Sequence, residues 1–357
     1  MVLDLTPGQA RRLRAQTQLL GGSALGPAEV VARGVALQGQ DLPAVLRAVA
    51  LRSRPGTSLD DVRDAVDAGL LVRSWPMRST LFLTTPAHLR VLLAATGERI
   101  VRATALRRRH LGLDDRMLAR AGEVARAALA QAPRTRAELL AEWEAAGIAT
   151  AAGRGYHLLM HLAVTGLLHW GRFDAGRTQQ LVEASAGTGG TADAEDSDHT
   201  AAMVAIVRSF IASRAPVSLE DLAWWTKLPK ALLRGYAARL EDLVEVTVAG
   251  RPAYLLEELL PNTPPPRTGV RLVPGFDEWL LGYSDRSLVA TPAALEAVVP
   301  GGNGVFRPAI LLDGVVVGTW LPARPPARPG PEIHLVGDVT AATARAIDRA
   351  IARWPHD

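Results

Sequence analysis

The chain has 357 residues, 48% of them hydrophobic, which allows a sizeable core and, by length, two or three domains. It contains no cysteine, which excludes disulfides and thiolate metal sites, and no apolar run approaches the ~20 residues of a membrane span. The formal net charge is +4, and every basic residue except Lys227 and Lys230 is arginine. Arginine grips phosphate in bidentate fashion and stacks on flat groups, which favours a nucleic-acid partner. A GC-rich genome enriches arginine too, so this signal alone does not decide. Met1-Val2-Leu3-Asp4 lacks the basic and apolar regions of a signal peptide, and a soluble cytoplasmic protein is expected.

Helical patterns dominate. Thr6-Pro7-Gly8-Gln9 reads as a capping box with proline at the first helical position. A second helix starts near Pro27, and a third follows Ser58 and Asp61. Thr135 with Glu138, and Ser218 with Asp221, open two more. Three segments then repeat one order of two helices, a short apolar strand and a hairpin. The first runs from Ser58 to Ser79-Thr80-Leu81-Phe82-Leu83. The second runs from Thr135 to Gln180-Leu181-Val182, with a turn at Asp174-Ala175-Gly176. The third runs from Ser218, through a helix over 230–240, to a hairpin around Ala249-Gly250-Arg251. This is the order of a winged helix, a helix-turn-helix variant with a β-wing.

Residues 184–199 read as a loop, and Pro261-Asn262-Thr263-Pro264-Pro265-Pro266 as a stiff connector. Beyond it, the stretch from Pro308 to Trp320 is a hairpin turning at Asp313-Gly314. Ile333-His334-Leu335-Val336 is a strand, and a helix over 341–354 follows. The expected fold class is α+β, with three tandem winged-helix domains (1–100, 101–190 and 199–260) and a β-rich C-terminal module (268–357).

Two Gln-x-Gln pairs occur. Gln16-Thr17-Gln18 lies inside a helix, where its side chains point about 200° apart and form part of a solvated face. Gln38-Gly39-Gln40 differs, because Gly39 weakens a helix and Pro43 biases Leu42 towards an extended conformation. In an extended stretch, residues i and i+2 face the same side, so these two amides can converge on one water. A capped helix end is the bland alternative, with Asp41 as the cap.

Leu37-Gln38-Gly39-Gln40-Asp41 resembles the signature of the AlkZ-like DNA glycosylases, a family of tandem winged-helix proteins. So do Arg73-Ser74-Trp75-Pro76-Met77-Arg78-Ser79-Thr80-Leu81, Asp221-Leu222-Ala223-Trp224-Trp225-Thr226, Gly275-Phe276-Asp277-Glu278-Trp279-Leu280-Leu281-Gly282-Tyr283 and Phe306-Arg307-Pro308-Ala309-Ile310-Leu311. The resemblance spans essentially the whole chain. It implies monofunctional excision of N-alkylated purines from double-stranded DNA, including N7-alkylguanine and bulky or crosslinked adducts, in repair or in self-resistance to an alkylating natural product. It places the catalytic pair on Gln38 and Gln40, with Asp41 as a candidate supporting group. No metal or cofactor is implied, and a monomer is expected.

For DNA contacts the sequence offers Arg73 and Arg78, Arg251 in the third wing, and the run Arg107, Arg108 and Arg109. The tandem domains are expected to line an arginine-rich channel. His157 and His161 have a metal-ligand spacing, but helix packing or a surface role is expected. Trp224 and Trp225 read as core. Asp277, Glu278, Tyr283, Asp285 and Arg286 form a polar cluster, read as an inter-domain ion-pair network. The competing class is a non-enzymatic winged-helix regulator, for which no dimerisation element is evident.

Overall fold

In the computed structural model, which describes residues 3–184, 196–260, 266–324 and 326–355, most helices start where side-chain caps satisfy their first free N–H groups. After strand β1 (Leu3–Leu5), Thr6 and Gln9 form the reciprocal box that opens α1 (Pro7–Thr17). Helix α2 (Pro27–Gly34) leads into strand β2 (Ala36–Gln38), and Asp41 caps α3 (Leu42–Arg52). Ser58 and Asp61 box α4 (Leu59–Asp67), and the hairpin β3 (Val72–Met77) and β4 (Thr80–Thr84) follows. Next come α5 (Pro86–His110), α6 (Asp115–Gln131), α7 (Arg136–Ala145, boxed by Thr135 and Glu138) and α8 (Arg154–Val164). The hairpin β5 (Leu168–Phe173) and β6 (Gln179–Glu183) precedes α9 (Asp196–Arg214) and α10 (Leu219–Thr226), the latter boxed by Ser218 and Asp221. Helix α11 (Lys230–Ala237) and the hairpin β7 (Leu243–Val248) and β8 (Arg251–Leu256) come next. The last elements are β9 (Val270–Val273), α12 (Glu278–Leu281), α13 (Pro292–Val298), β10 (Ala309–Leu312), β11 (Val315–Leu321), β12 (Glu332–Leu335) and α14 (Ala341–Ala352).

The chain divides into two compact units. Unit one comprises Met1–Val62, Val204–Trp225 and Pro229–Asp357; unit two comprises Arg63–Met203 with Thr226–Leu228.

Unit one holds two sheets. In the first, ordered β1-β7-β8, the N-terminal strand runs parallel to β7 with Leu3 opposite Val246, while β7 and β8 form an antiparallel hairpin. Leu5, Leu13, Val246 and Leu255 are buried together beneath it. The second sheet is antiparallel, ordered β12-β11-β10-β9. Asp313 and Gly314 both have positive φ (48° and 80°) and make the expected two-residue hairpin turn between β10 and β11. Trp320 meets Trp354 edge-on at 4.8 Å on one face of this sheet.

Unit two pairs its hairpins in the order β4-β3-β5-β6. Trp75 on β3 packs against Trp170 on β5 at 4.9 Å and edge-on against Tyr156 at 5.7 Å. Trp143 is fully buried, and its indole N–H donates to the Ala121 carbonyl at 3.0 Å.

Two local expectations need correction. Residues 196–199, read as loop, form the first turn of α9, where Asp198 suits the positive end of the helix dipole. Residues 185–195 of that stretch, and 261–265 of the proline connector, lie outside the described residues. Helix α11 stops at Ala237 rather than 240, because the chain tightens into i→i+3 bonds from Arg239 to Tyr236 and from Leu240 to Ala237.

Truncating Trp143 to alanine would empty a large site and remove the indole's bond to the Ala121 carbonyl. We expect about 3–5 kcal/mol of destabilisation, read as a shift of the first urea-unfolding transition by circular dichroism. A shift below about 1 kcal/mol would show that this core is not packed as described.

Candidate active site

The segment carrying Gln38 and Gln40 joins β2 to α3. Helix α2 ends at Gly34, and the next residue, Val35, is fully buried with φ 65° and ψ −58°. This is the geometry of the rare, strained γ-turn, unusual for a β-branched residue. Arg214 straddles it: Nη1 donates to the Gly34 carbonyl at 3.0 Å and Nη2 to the Ala36 carbonyl at 3.1 Å. The turn redirects the chain into β2, whose three residues are all buried.

Gln38 ends β2 and is buried, while Gln40, two residues later at a bend, is exposed. The Gln38 backbone N–H donates to Glu278 Oε1 at 3.0 Å. Asp41 accepts from the Ala44 N–H at 2.9 Å and is the N-cap of α3. The extended residue before that helix is Asp41 (φ −104°, ψ 113°) rather than Leu42. Leu42 and Pro43 instead fill the first turn of α3, where the missing proline N–H costs no hydrogen bond.

Beneath this segment lies a network of buried charge. Glu278 Oε2 accepts from Arg214 Nη2 at 2.8 Å and from the Trp225 indole at 3.1 Å. Its neighbour Asp277 takes a bidentate contact from Arg52 at 2.8 and 2.9 Å. All four charged side chains are at most 4% exposed. Arg52 also donates to the carbonyl of Gln18, and the Gln18 amide donates to the Tyr283 hydroxyl at 3.0 Å. That hydroxyl donates in turn to the Arg214 carbonyl at 2.8 Å, and burial pushes its pKa above the usual tyrosine range. Gln18 therefore does not lie on a solvated face; it is the buried C-cap residue of α1, while Gln16 is exposed.

The polar cluster read from the sequence accordingly splits. Asp277, Glu278 and Tyr283 belong to the network, all within unit one. Asp285 instead pairs with the exposed Arg251. Arg286 donates to the Leu280 carbonyl at 2.7 Å and lies over the Trp224 ring, and burial lowers its pKa. Arg52 and Arg214 were not singled out in the sequence. The signal for them is the pair of adjacent acids in Phe276-Asp277-Glu278-Trp279-Leu280-Leu281, since two carboxylates in an apolar run demand two buried cations.

The remaining candidates lie in unit two, except Arg251 at the β7–β8 turn of unit one. Arg73 donates to Gln179 at 3.1 Å and lies over the Trp170 ring at 5.5 Å. Arg78 and Ser79 form the β3–β4 turn with φ 53° and 54°, and Arg78 lies over the Phe82 ring at 5.1 Å. Of the arginine run at the end of α5, Arg107 and Arg109 are exposed, whereas Arg108 folds back onto Thr104 and the Val101 carbonyl. Burial accordingly lowers the Arg108 pKa. His157 and His161 sit on α8 near these arginines, and burial depresses both pKa values, that of His161 to about 4. Among the described residues no group of three or more His, Cys, Asp or Glu could hold a metal ion, and no helix is long and apolar enough to cross a membrane.

The comparisons with known proteins agree with one another. A family model described as "DNA glycosylase AlkZ-like" matches residues 31–356. An interstrand DNA cross-link repair glycosylase from Streptomyces sahachiroi is 32% identical over 123 residues. That match spans 32% of this chain and only about a third (33%) of the relative's length. The solved structure of the S. sahachiroi DNA glycosylase AlkZ superposes with a TM-score of 0.79 at 24% identity, covering 98% of this chain and 96% of that one, which establishes the mixed helix-and-sheet fold.

Two outcomes follow. Glu278→Gln would leave the Arg214 guanidinium buried without a counter-charge, which costs about 3–5 kcal/mol; an unchanged melting temperature would refute the network's role. His161 has a folded pKa of about 4 against an ordinary 6.5, so between those values the unfolded chain takes up a proton that the folded chain refuses. Unit two should lose stability as pH falls from 6.5 towards 4, by on the order of 1–2 kcal/mol after allowing for partial exposure, with no further loss from this group below 4. Denaturation midpoints across this range should flatten in His161→Leu.

Proposed function

Because the chain belongs to the AlkZ-like DNA glycosylase family, we propose that it is a monofunctional DNA glycosylase that hydrolyses the N-glycosidic bond of cationic N-alkylated purines, above all N7-alkylguanine. What carries this reading is the Gln38-Gly39-Gln40 segment, set between a strained turn and a capped helix and tied through the Gln38 N–H to the buried Glu278–Arg214 pair. Such anchoring suits groups whose task is orientation.

Alkylation at N7 places a positive charge on guanine. When the bond from N9 to C1′ breaks, its electron pair stays on the base, which leaves neutral, and C1′ becomes cationic. A water oxygen then bonds to C1′ and its surplus proton passes to solvent, giving an abasic sugar. The cation is a strong electrophile, so the water needs placement more than deprotonation, and two amides supply placement. An unalkylated nucleoside lacks this driving force and would require a carboxylate pair, as sugar hydrolases do. Asp41 would act by capping α3 and fixing the bend at Gln40.

The relative's role in interstrand cross-link repair extends the proposed substrates to bis-alkylated guanines. Three winged helices, acting as a monomer on nucleoid DNA in the cytoplasm, complete the reading. Arg73, Arg78, Arg107, Arg109 and Arg251 are its proposed phosphate contacts.

The test is release of 7-methylguanine from a methylated duplex, scored as alkali-labile abasic sites. Gln38→Ala and Gln40→Ala should each lower the single-turnover rate about 100-fold or more while duplex affinity stays within about twofold. Full activity in both variants would overturn the catalytic assignment. Equal excision of unmodified guanine would overturn the mechanism. A wild type that binds duplex and excises nothing would identify a non-enzymatic DNA-binding protein.

A further inference from the structure

Apart from the glutamine segment, unit one contains a cavity of about 840 Å³ walled by α1, α10, α11, the β7–β8 hairpin and the loop after Tyr283. Neither Gln38 nor Gln40 lines it. Its volume falls within the range of small-molecule sites.

The charges around it do not cancel. Lys230 pairs with Glu220, and Arg251 with Asp285. Asp221 is saturated by the backbone N–H and hydroxyl groups of Ser218 and Ser284, which donate to its two oxygens at 2.8–3.0 Å. That accounts for each carboxylate in the lining. Arg11, Arg14 and Arg234 also line the cavity, and none of the three has an ion-pair partner among the described residues.

Arg14 is the most informative of these. It is only 7% exposed. Its Nε donates to the Pro216 carbonyl at 3.0 Å, its guanidinium lies 3.8 Å from the centre of the Tyr283 ring, and its Nη1 is buried with no hydrogen-bond partner. A carbonyl and a ring face ease the burial of a cation but do not neutralise it. A guanidinium withdrawn from water beside a cavity, with no carboxylate to answer it, is a charge prepared for an incoming anion.

We propose that this cavity binds a phosphate ester, with Arg14, Arg11 and Arg234 as its counter-charge and Leu219, Val248 and Leu288 as apolar wall. The lining sets Arg11, Arg14, Lys230, Arg234 and Arg251 against Glu220, Asp221 and Asp285, an excess of two positive charges; one carboxylate cannot neutralise it, whereas a phosphate monoester carries about two negative charges and several acceptor oxygens. Arginine's planar fork suits those oxygens better than a point charge does. The phosphate can come from a free nucleotide or from two adjacent diesters of the DNA strand, each carrying one negative charge.

The experiment measures binding of dGMP and of deoxyguanosine by calorimetry, and displacement of dGMP by a lesion-free duplex. dGMP should bind and deoxyguanosine should not. Arg234→Glu, at an exposed position, should weaken dGMP binding about tenfold or more, and Arg14→Met should abolish it. Arg136→Glu, the same charge change on α7, should leave it unaltered. Displacement by duplex would assign the phosphate to DNA, and its absence to a free nucleotide. If Arg14→Met does not fold, Arg234→Glu and Arg11→Gln decide. The proposal is overturned if deoxyguanosine binds as well as dGMP, or if neither dGMP nor duplex binding falls in Arg234→Glu relative to Arg136→Glu. Base excision is not the readout, so failure here leaves the glycosylase assignment standing.

Discussion

The support of the glutamine segment depends on two adjacent carboxylates that are each buried against their own arginine. Asp277 faces Arg52 from α3, and Glu278 faces Arg214 from α9, with no member more than 4% exposed. Burying four charges is costly, and mutual attraction offsets the cost only when the remaining donors and acceptors are also used. Here most are: Arg52 reaches Ala48 and Gln18, Arg214 reaches Gly34 and Ala36, and Glu278 takes both the Trp225 indole and the Gln38 N–H. Moving β2 would uncouple several of these bonds at once. The contribution is therefore to geometry more than to net stability.

The strained Val35 turn follows from the same constraint. A β-branched residue at φ 65° costs on the order of 1–3 kcal/mol and persists only where its surroundings over-determine it. Arg214 bonds the carbonyls on either side of that residue, and Glu278 fixes both Arg214 and the end of β2. Strain, ion pair and amide segment thus form one mechanical unit. Such an arrangement matches chemistry that relies on placement, since a weakly held group loses its advantage with displacements of an ångström.

Legibility in the sequence followed the range of the interaction. The capping boxes at Thr6, Ser58, Thr135 and Ser218 involve partners three residues apart, and each formed where the spacing put it. The Asp313-Gly314 turn is equally local. By contrast, Arg52 meets Asp277 across 225 residues, Gln18 meets Tyr283 across 265, and β1 lies parallel to a strand that begins 240 residues later. No periodicity encodes such pairs. Helical periodicity within α1 does not reveal the role of Gln18, whose side chain reaches past the end of α1 to partners on α3 and beside α12. The Gln38–Gln40 segment stands out in the sequence as a motif, but the helix breaks at Gly34 and Val35 rather than at Gly39, and Gln38 ends a strand; the apparatus that holds it is marked only by two acids in an apolar run.

The electrostatic consequence bears on mechanism. Acids within reach of the glutamine segment through the chain or through hydrogen bonds are already engaged: Asp41 by the first turn of α3, Asp277 by Arg52, and Glu278 by Arg214 and the Gln38 backbone. Each of these carboxylates is committed to a structural contact. If this segment meets the substrate as proposed, the groups left to do so are neutral amides, whose strength lies in direction rather than proton affinity. On the proposed mechanism, an enzyme so equipped gains little on a stable glycosidic bond and much on one already weakened by a positive charge on the base, so the proposed selectivity for alkylated purines would arise from what the site lacks as much as from what it contacts.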